Sequence, residues 1–158
     1  MIPYELLNNL HYIKGLDPVA DAFSGTVTSD VVDLANHQSA LFLVYKGVGT
    51  TGTSTITVEA CSDFSATAVT AIPFYSKSIT SNDVQGDLTA RAAAGFTTTA
   101  GSSQIYEIQV AAEALAATDY HLVRLKAVEV VDSPVVGCIA ITLAGPRFGG
   151  STTATEIA

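Results

Sequence analysis

Tryptophan is missing from this 158-residue chain, methionine occurs once, and only 14% of the residues are charged. Soluble domains usually carry about 25% charged residues. Without tryptophan the strongest stacking platform for sugars is lost, although six tyrosines remain. Basic residues number seven against fifteen acidic ones, for a net charge of -8. The lysines (14, 46, 77, 126) and arginines (91, 124, 147) are scattered. Nucleic-acid affinity depends on clustered Lys and Arg neutralising phosphates, so no nucleic-acid partner is expected. No run reaches the roughly 18 apolar residues of a membrane span, and no membrane partner is expected either. The two cysteines, Cys61 and Cys138, sit far apart in apolar, strand-like segments. Two buried free thiols are expected there rather than a disulfide or a metal pair.

Hydrophobic residues make up 48% of the chain. One domain of this length buries roughly 70% of its unfolded surface and needs no metal or disulfide staple. The apolar excess exceeds what a lone core explains and points to contacts with other chains. Met1-Ile2-Pro3-Tyr4-Glu5 lacks the basic start of a signal peptide, and Asn8, Asn9 and His11 break any apolar stretch behind it. Synthesis in a cytoplasm without export is the expectation.

Hydrophobic periodicity divides the chain into three parts. In residues 1–24, Ile2, Leu6, Leu10 and Ile13 recur at near-helical spacing, with Pro3 suited to a first turn and Gly15 to a stop. This segment reads as a short amphipathic helix or as an extended arm that docks on a neighbour. Residues 25–148 are β in character. Residues 26–34 make a short strand candidate. Residues 40–46, ALFLVYK, are apolar almost throughout, which implies burial on both faces or a subunit contact through Leu41 and Leu43. Residues 54–62 alternate, and with a Gly/Thr loop at 47–53 they read as a hairpin with the preceding strand. Pro73 demotes residues 71–79 to an edge or bulged strand. Residues 80–103 show little periodicity and read as a long loop. Strands are expected again at 104–110, 120–131 and 135–144, with one helical turn at 111–117. Residues 149–158 read as a flexible tail. Six to eight strands with this spacing predict an all-β fold, a β-sandwich with the jelly roll as its candidate form.

The chain carries no motif with catalytic spacing. Gly47-Val48-Gly49-Thr50-Thr51-Gly52 matches G-x-G-x-x-G, but strand-forming Ser54-Thr55-Ile56-Thr57-Val58 follows where a dinucleotide site needs a helix N-terminus. His11, His37 and His121 have no metal-ligand partner at i+2 or i+4, so no metal is expected. Asn82, Asp83 and Asp87 lack EF-hand spacing. No G-x-S-x-G nucleophile elbow appears. No catalytic residue and no cofactor is expected, and the chain reads as a non-enzyme.

The runs Val44-Tyr45-Lys46-Gly47-Val48-Gly49, Thr55-Ile56-Thr57-Val58-Glu59-Ala60-Cys61, Val123-Arg124-Leu125-Lys126-Ala127 and Gly145-Pro146-Arg147 give residues 20–148 a texture that resembles small virion proteins of tailed bacteriophages. The nearest likeness is to head decoration (capsid cement) proteins. The resemblance implies binding to a major capsid protein on the capsid exterior of the virion, often as a homotrimer, which clamps the lattice against internal pressure. It carries no site motif. The expected interaction residues, Ile2, Leu6, Leu10, Ile13, Leu41 and Leu43, come from the apolar pattern alone. The competing expectation is a phage tail or spike component that binds a receptor or glycan.

Overall fold

A computed structural model describes residues 9–147. Twelve strands form two antiparallel sheets: β1 (Leu10–Val19), β2 (Thr26–Thr28), β3 (Val32–Asp33), β4 (His37–Lys46), β5 (Thr53–Cys61), β6 (Val69–Ile72), β7 (Phe74–Ile79), β8 (Thr89–Arg91), β9 (Phe96–Thr97), β10 (Gln104–Ala111), β11 (Leu122–Val131) and β12 (Gly137–Pro146). A single 3₁₀ turn at Ala112–Leu115 follows β10. Sheet A has the order β1-β12-β4-β10-β7-β8. Sheet B has the order β2-β11-β5-β6, with β3 also on β11 and β9 on β5.

The chain alternates between the sheets. It starts in A with β1, crosses to B for β2 and β3, returns for β4, and crosses again for β5 and β6. After β7 and β8 in A it visits B briefly as β9, then runs β10 in A, β11 in B and β12 in A. The last strands, β11 and β12, each insert beside early ones. This is the double Greek-key winding of a jelly roll. Period-two alternation fills the space between the sheets: Ala40, Phe42 and Val44 from β4, Ile56, Val58 and Ala60 from β5, Val123, Leu125 and Ala127 from β11, and Ile139, Ile141 and Leu143 from β12 form one buried core.

Four sequence expectations are revised. Residues 10–23 belong to the sandwich and are not a separate arm. β1 pairs with β12 from Leu10–Ala144 to Val19–Gly137, Ile13 and Leu16 pack on the core, and Ala22 and Phe23 lie within it. The near-helical spacing of Leu10 and Ile13 has a strand explanation: the two side chains leave opposite faces of β1. Gly15 is a point of close approach and not a helix stop, since a Cβ there would lie 2.9 Å from the Ile139 carbonyl oxygen. Ile2 and Leu6 fall outside the described residues, as does the tail at 149–158.

β4 and β5 are not a hairpin. Residues 47–52 arch from sheet A to sheet B, because the two strands find their ladder partners in different sheets. Proline has no N–H to give a ladder, and at Pro73 the chain leaves β6 of sheet B and enters β7 of sheet A. One expected bulged strand is thus two strands. Residues 80–103 contain β8 and β9, the latter reached through Gly95 (φ +75), whose missing Cβ would collide with the Ile56 carbonyl.

Candidate interaction surface

Alternation that sends Phe42 and Val44 inward sends Leu41, Leu43 and Tyr45 outward on β4, in the centre of sheet A. The register places neighbours in rows across the sheet. One row runs Tyr12, Thr142, Leu41, Gln109, Tyr75. The next runs Lys14, Ala140, Leu43, Glu107, Lys77. A third joins Cys138, Tyr45, Ile105 and Ile79, and a fourth joins Leu10, Ala144, Ser39 and Ala111. Tyr12, Tyr45 and Tyr75 are 63%, 41% and 53% exposed. Leu10, Leu41, Leu43 and Ile105 are half-buried by their strand neighbours alone.

Of the expected interaction residues, the fold brings Leu10, Leu41 and Leu43 to this one face and turns Ile13 into the core. Sequence reasoning missed Tyr12, Tyr45 and Ile105. The alternation of β10, which assigns Tyr106, Ile108 and Val110 to the core, leaves Ile105 opposite; the pairing that sets it beside Tyr45 is not a property of either segment.

Sheet B differs outside. Its outer side chains are Thr55, Thr57 and Glu59 of β5 with Arg124 and Lys126 of β11. Glu59 is buried and accepts from Arg124 Nη2 at 2.8 Å and from Lys126 Nζ at 3.2 Å. Farther along, Cys61, Leu122 and Val31 form a small buried cluster beneath Ala66 of the β5–β6 loop. That cover explains how Cys61 is buried although it points away from the main core. Its burial pushes the thiol up to about 11. Cys138 is also free, but it is half-buried on the outer face of sheet A, which corrects the expectation of two buried thiols.

At the end of β4 a cation points inward. Lys46, 2% exposed, donates to the carbonyl oxygens of Gly52 (2.9 Å) and Thr99 (2.7 Å) and to Gln104 Oε1 (3.3 Å). Tyr106 Oη also donates to Gln104 Oε1, at 3.0 Å, and accepts the Thr99 N–H at 2.9 Å. Burial lowers the pKa of Lys46 from the ordinary lysine value. Three ammonium protons meet three acceptors, so the side chain ties together the loops at 47–52 and 98–103. The glycine run that matched a nucleotide motif is therefore an inter-sheet arch held from below by Lys46.

At the opposite end, an open groove of about 580 Å³ is lined by Gln38, Ser39, Gln109, Ala111, Glu113 and Arg147. His37 is buried near there, and its pKa is lowered by burial first and by His11 second, against a raising influence of Asp33. Among the described residues no three His, Cys, Asp or Glu side chains gather as metal ligands. No helix among the described residues is long and apolar enough to cross a membrane.

The features define an all-β jelly-roll sandwich with leucine and tyrosine side chains on the outer face of sheet A. No known protein family, no curated protein and no solved structure matches the chain.

Proposed function

We propose that this chain is a structural protein that works by binding protein surfaces through the outer face of sheet A, and that its setting is the exterior of a tailed-bacteriophage capsid lattice. One observation carries the first part: Tyr12, Leu41, Leu43, Tyr45 and Ile105 share the outer face of sheet A, where Tyr12 and Tyr45 are 63% and 41% exposed. Soluble monomers rarely leave contiguous apolar patches of this kind open to water. Aromatic residues are favoured at interface centres, as Tyr12 and Tyr45 are on this face, while Lys14, Glu107 and Lys77 in its middle row supply charge that orients a partner. The texture of residues 20–148 and the acidic charge, suited to a surface that faces away from DNA, support the second part. The chain acts there as a homo-oligomer joined through this face, and the assembled oligomer is what meets the major capsid protein.

Labelled protein added to purified phage heads and tails tests the setting. Saturable retention on heads, abolished in Leu43→Asp, is the expected result. Retention on tails alone would favour the reading as a tail or spike component. Retention on neither would remove the capsid setting.

A further inference from the structure

We propose that a second copy of this chain covers the outer face of sheet A, packed face to face about a two-fold axis that runs along the strands between β12 and β4. The inference rests on the reading of that face as an interaction surface and names its partner. The order of side chains across the face decides the geometry.

The central row reads Lys14, Ala140, Leu43, Glu107 from β1 to β10. A two-fold axis lying between β12 and β4 exchanges the two sides of this row. Lys14 of each copy then meets Glu107 of the other, and Leu43 meets Ala140. In the adjacent row Leu41 meets Thr142, and Tyr12 meets Gln109. Both charges find opposite charges, and each leucine finds a smaller side chain to pack over. A two-fold axis running across the strands along the same row does the reverse. It stacks Lys14 on Lys14 and Glu107 on Glu107, at a cost of like-charge repulsion. The charge order therefore favours an axis along the strands over one across them, and the fit of Leu43 over Ala140 sets it between β12 and β4, where an isologous contact uses each pair twice.

Dimensions agree. Sheets pack about 10 Å apart with strands within about 30° of alignment, a gap that Lys and Glu side chains span together. Four strands at about 4.8 Å and seven residues at about 3.3 Å give a patch of roughly 20 Å by 23 Å. That buries roughly 900 Å² over the two copies, below the roughly 1,200 Å² at which stable interfaces begin, so a weak, reversible dimer is expected and not an obligate one. Lys14 bonds Asp17 at 3.3 Å on the exposed surface, and Glu107 accepts from Gln85 at 2.6 Å. Exposed pairs of this sort are worth little and exchange readily.

Sedimentation of the full chain over a concentration series is the test. Reversible growth from 16.3 kDa to twice that mass is expected. Leu43→Asp should leave a folded monomer, with folding checked by circular dichroism. Lys14→Glu and Glu107→Lys should each weaken the dimer by about tenfold or more, since each change breaks both symmetric pairs; tenfold is about 1.4 kcal/mol. The double variant, Lys14→Glu with Glu107→Lys, should recover most of the loss. A chain that stays monomeric to millimolar concentration would overturn the inference, as would a trimer, or a double variant no better than the singles. Head binding by a monomeric chain would leave the proposed setting intact while removing the dimer. A dimer that ignores heads would do the opposite.

Discussion

Outside sheet B, Glu59 is clasped by Arg124 and Lys126, threonines line β5, and Ala66 closes over Cys61 and Leu122. Outside sheet A, leucine and tyrosine side chains stand in register, with Gln85 of the β7–β8 loop joining Lys77 and Glu107 at one side of them. Both sheets feed the same core and obey the same alternation, so the difference is not needed for folding. Sheet B shows how this chain finishes a face that meets water: a charged cluster, hydroxyls and a loop. On sheet A that finish stops at Lys77 and Glu107 and leaves Tyr12 and Tyr45 exposed, which is the physical reason for proposing a protein partner there.

The largest expected effect comes from the same deletion made on each face. Leu122→Ala, beneath the loop on sheet B, should cost about 2–4 kcal/mol, the usual range for a buried leucine. Leu43→Ala should cost about 1 kcal/mol or less in dilute protein, because half-exposed side chains have less burial to lose. Urea unfolding of both variants measures this, and equal losses would erase the distinction between the faces.

Lys46 sharpens it from within one strand, since Tyr45 and Lys46 are adjacent and point to opposite sides. Lys46→Met keeps the volume but strands the Gly52 and Thr99 carbonyls, while Gln104 Oε1 keeps the Tyr106 hydroxyl, and should cost about 1–3 kcal/mol by the same measurement. Tyr45→Ser should change unfolding little and weaken association.

Protonation gives a smaller effect. His37 has a folded-state pKa below its unfolded value of 6.5, so the unfolded chain takes up the proton more readily. Its contribution is intact above that value and is lost as pH falls through it toward the folded pKa. Urea midpoints should therefore drop between pH 7.5 and pH 5.5, and His37→Gln should flatten that part of the curve. An unchanged slope in the variant would assign the effect elsewhere.

The cysteines offer a contrast in rate without a stability cost. At pH 8 Cys138 on sheet A should react with a thiol reagent in native protein, whereas Cys61, with its thiol raised to about 11, should wait for unfolding. Raising the protein concentration should slow Cys138 alone if a second copy covers its face.

Alternation in residues 54–62, 104–110 and 135–144 was legible because a strand between core and solvent must repeat every two residues. The outward-facing leucines Leu41 and Leu43 were legible too, since an unbroken apolar strand must turn some of its side chains away from the core. The sequence by itself determined the β class, the two-layer core and the acidic, low-charge surface, all set by composition and by spacing along a single segment. Which strands lie side by side was decided by tertiary structure. Only pairing across distant segments brings Tyr12, Leu43 and Ile105 to one face, turns Ile13 inward, makes β1 part of the sandwich and seats Lys46 among carbonyls from two loops. Local periodicity reports which way a side chain leaves its own strand; it carries no information about the strand next to it.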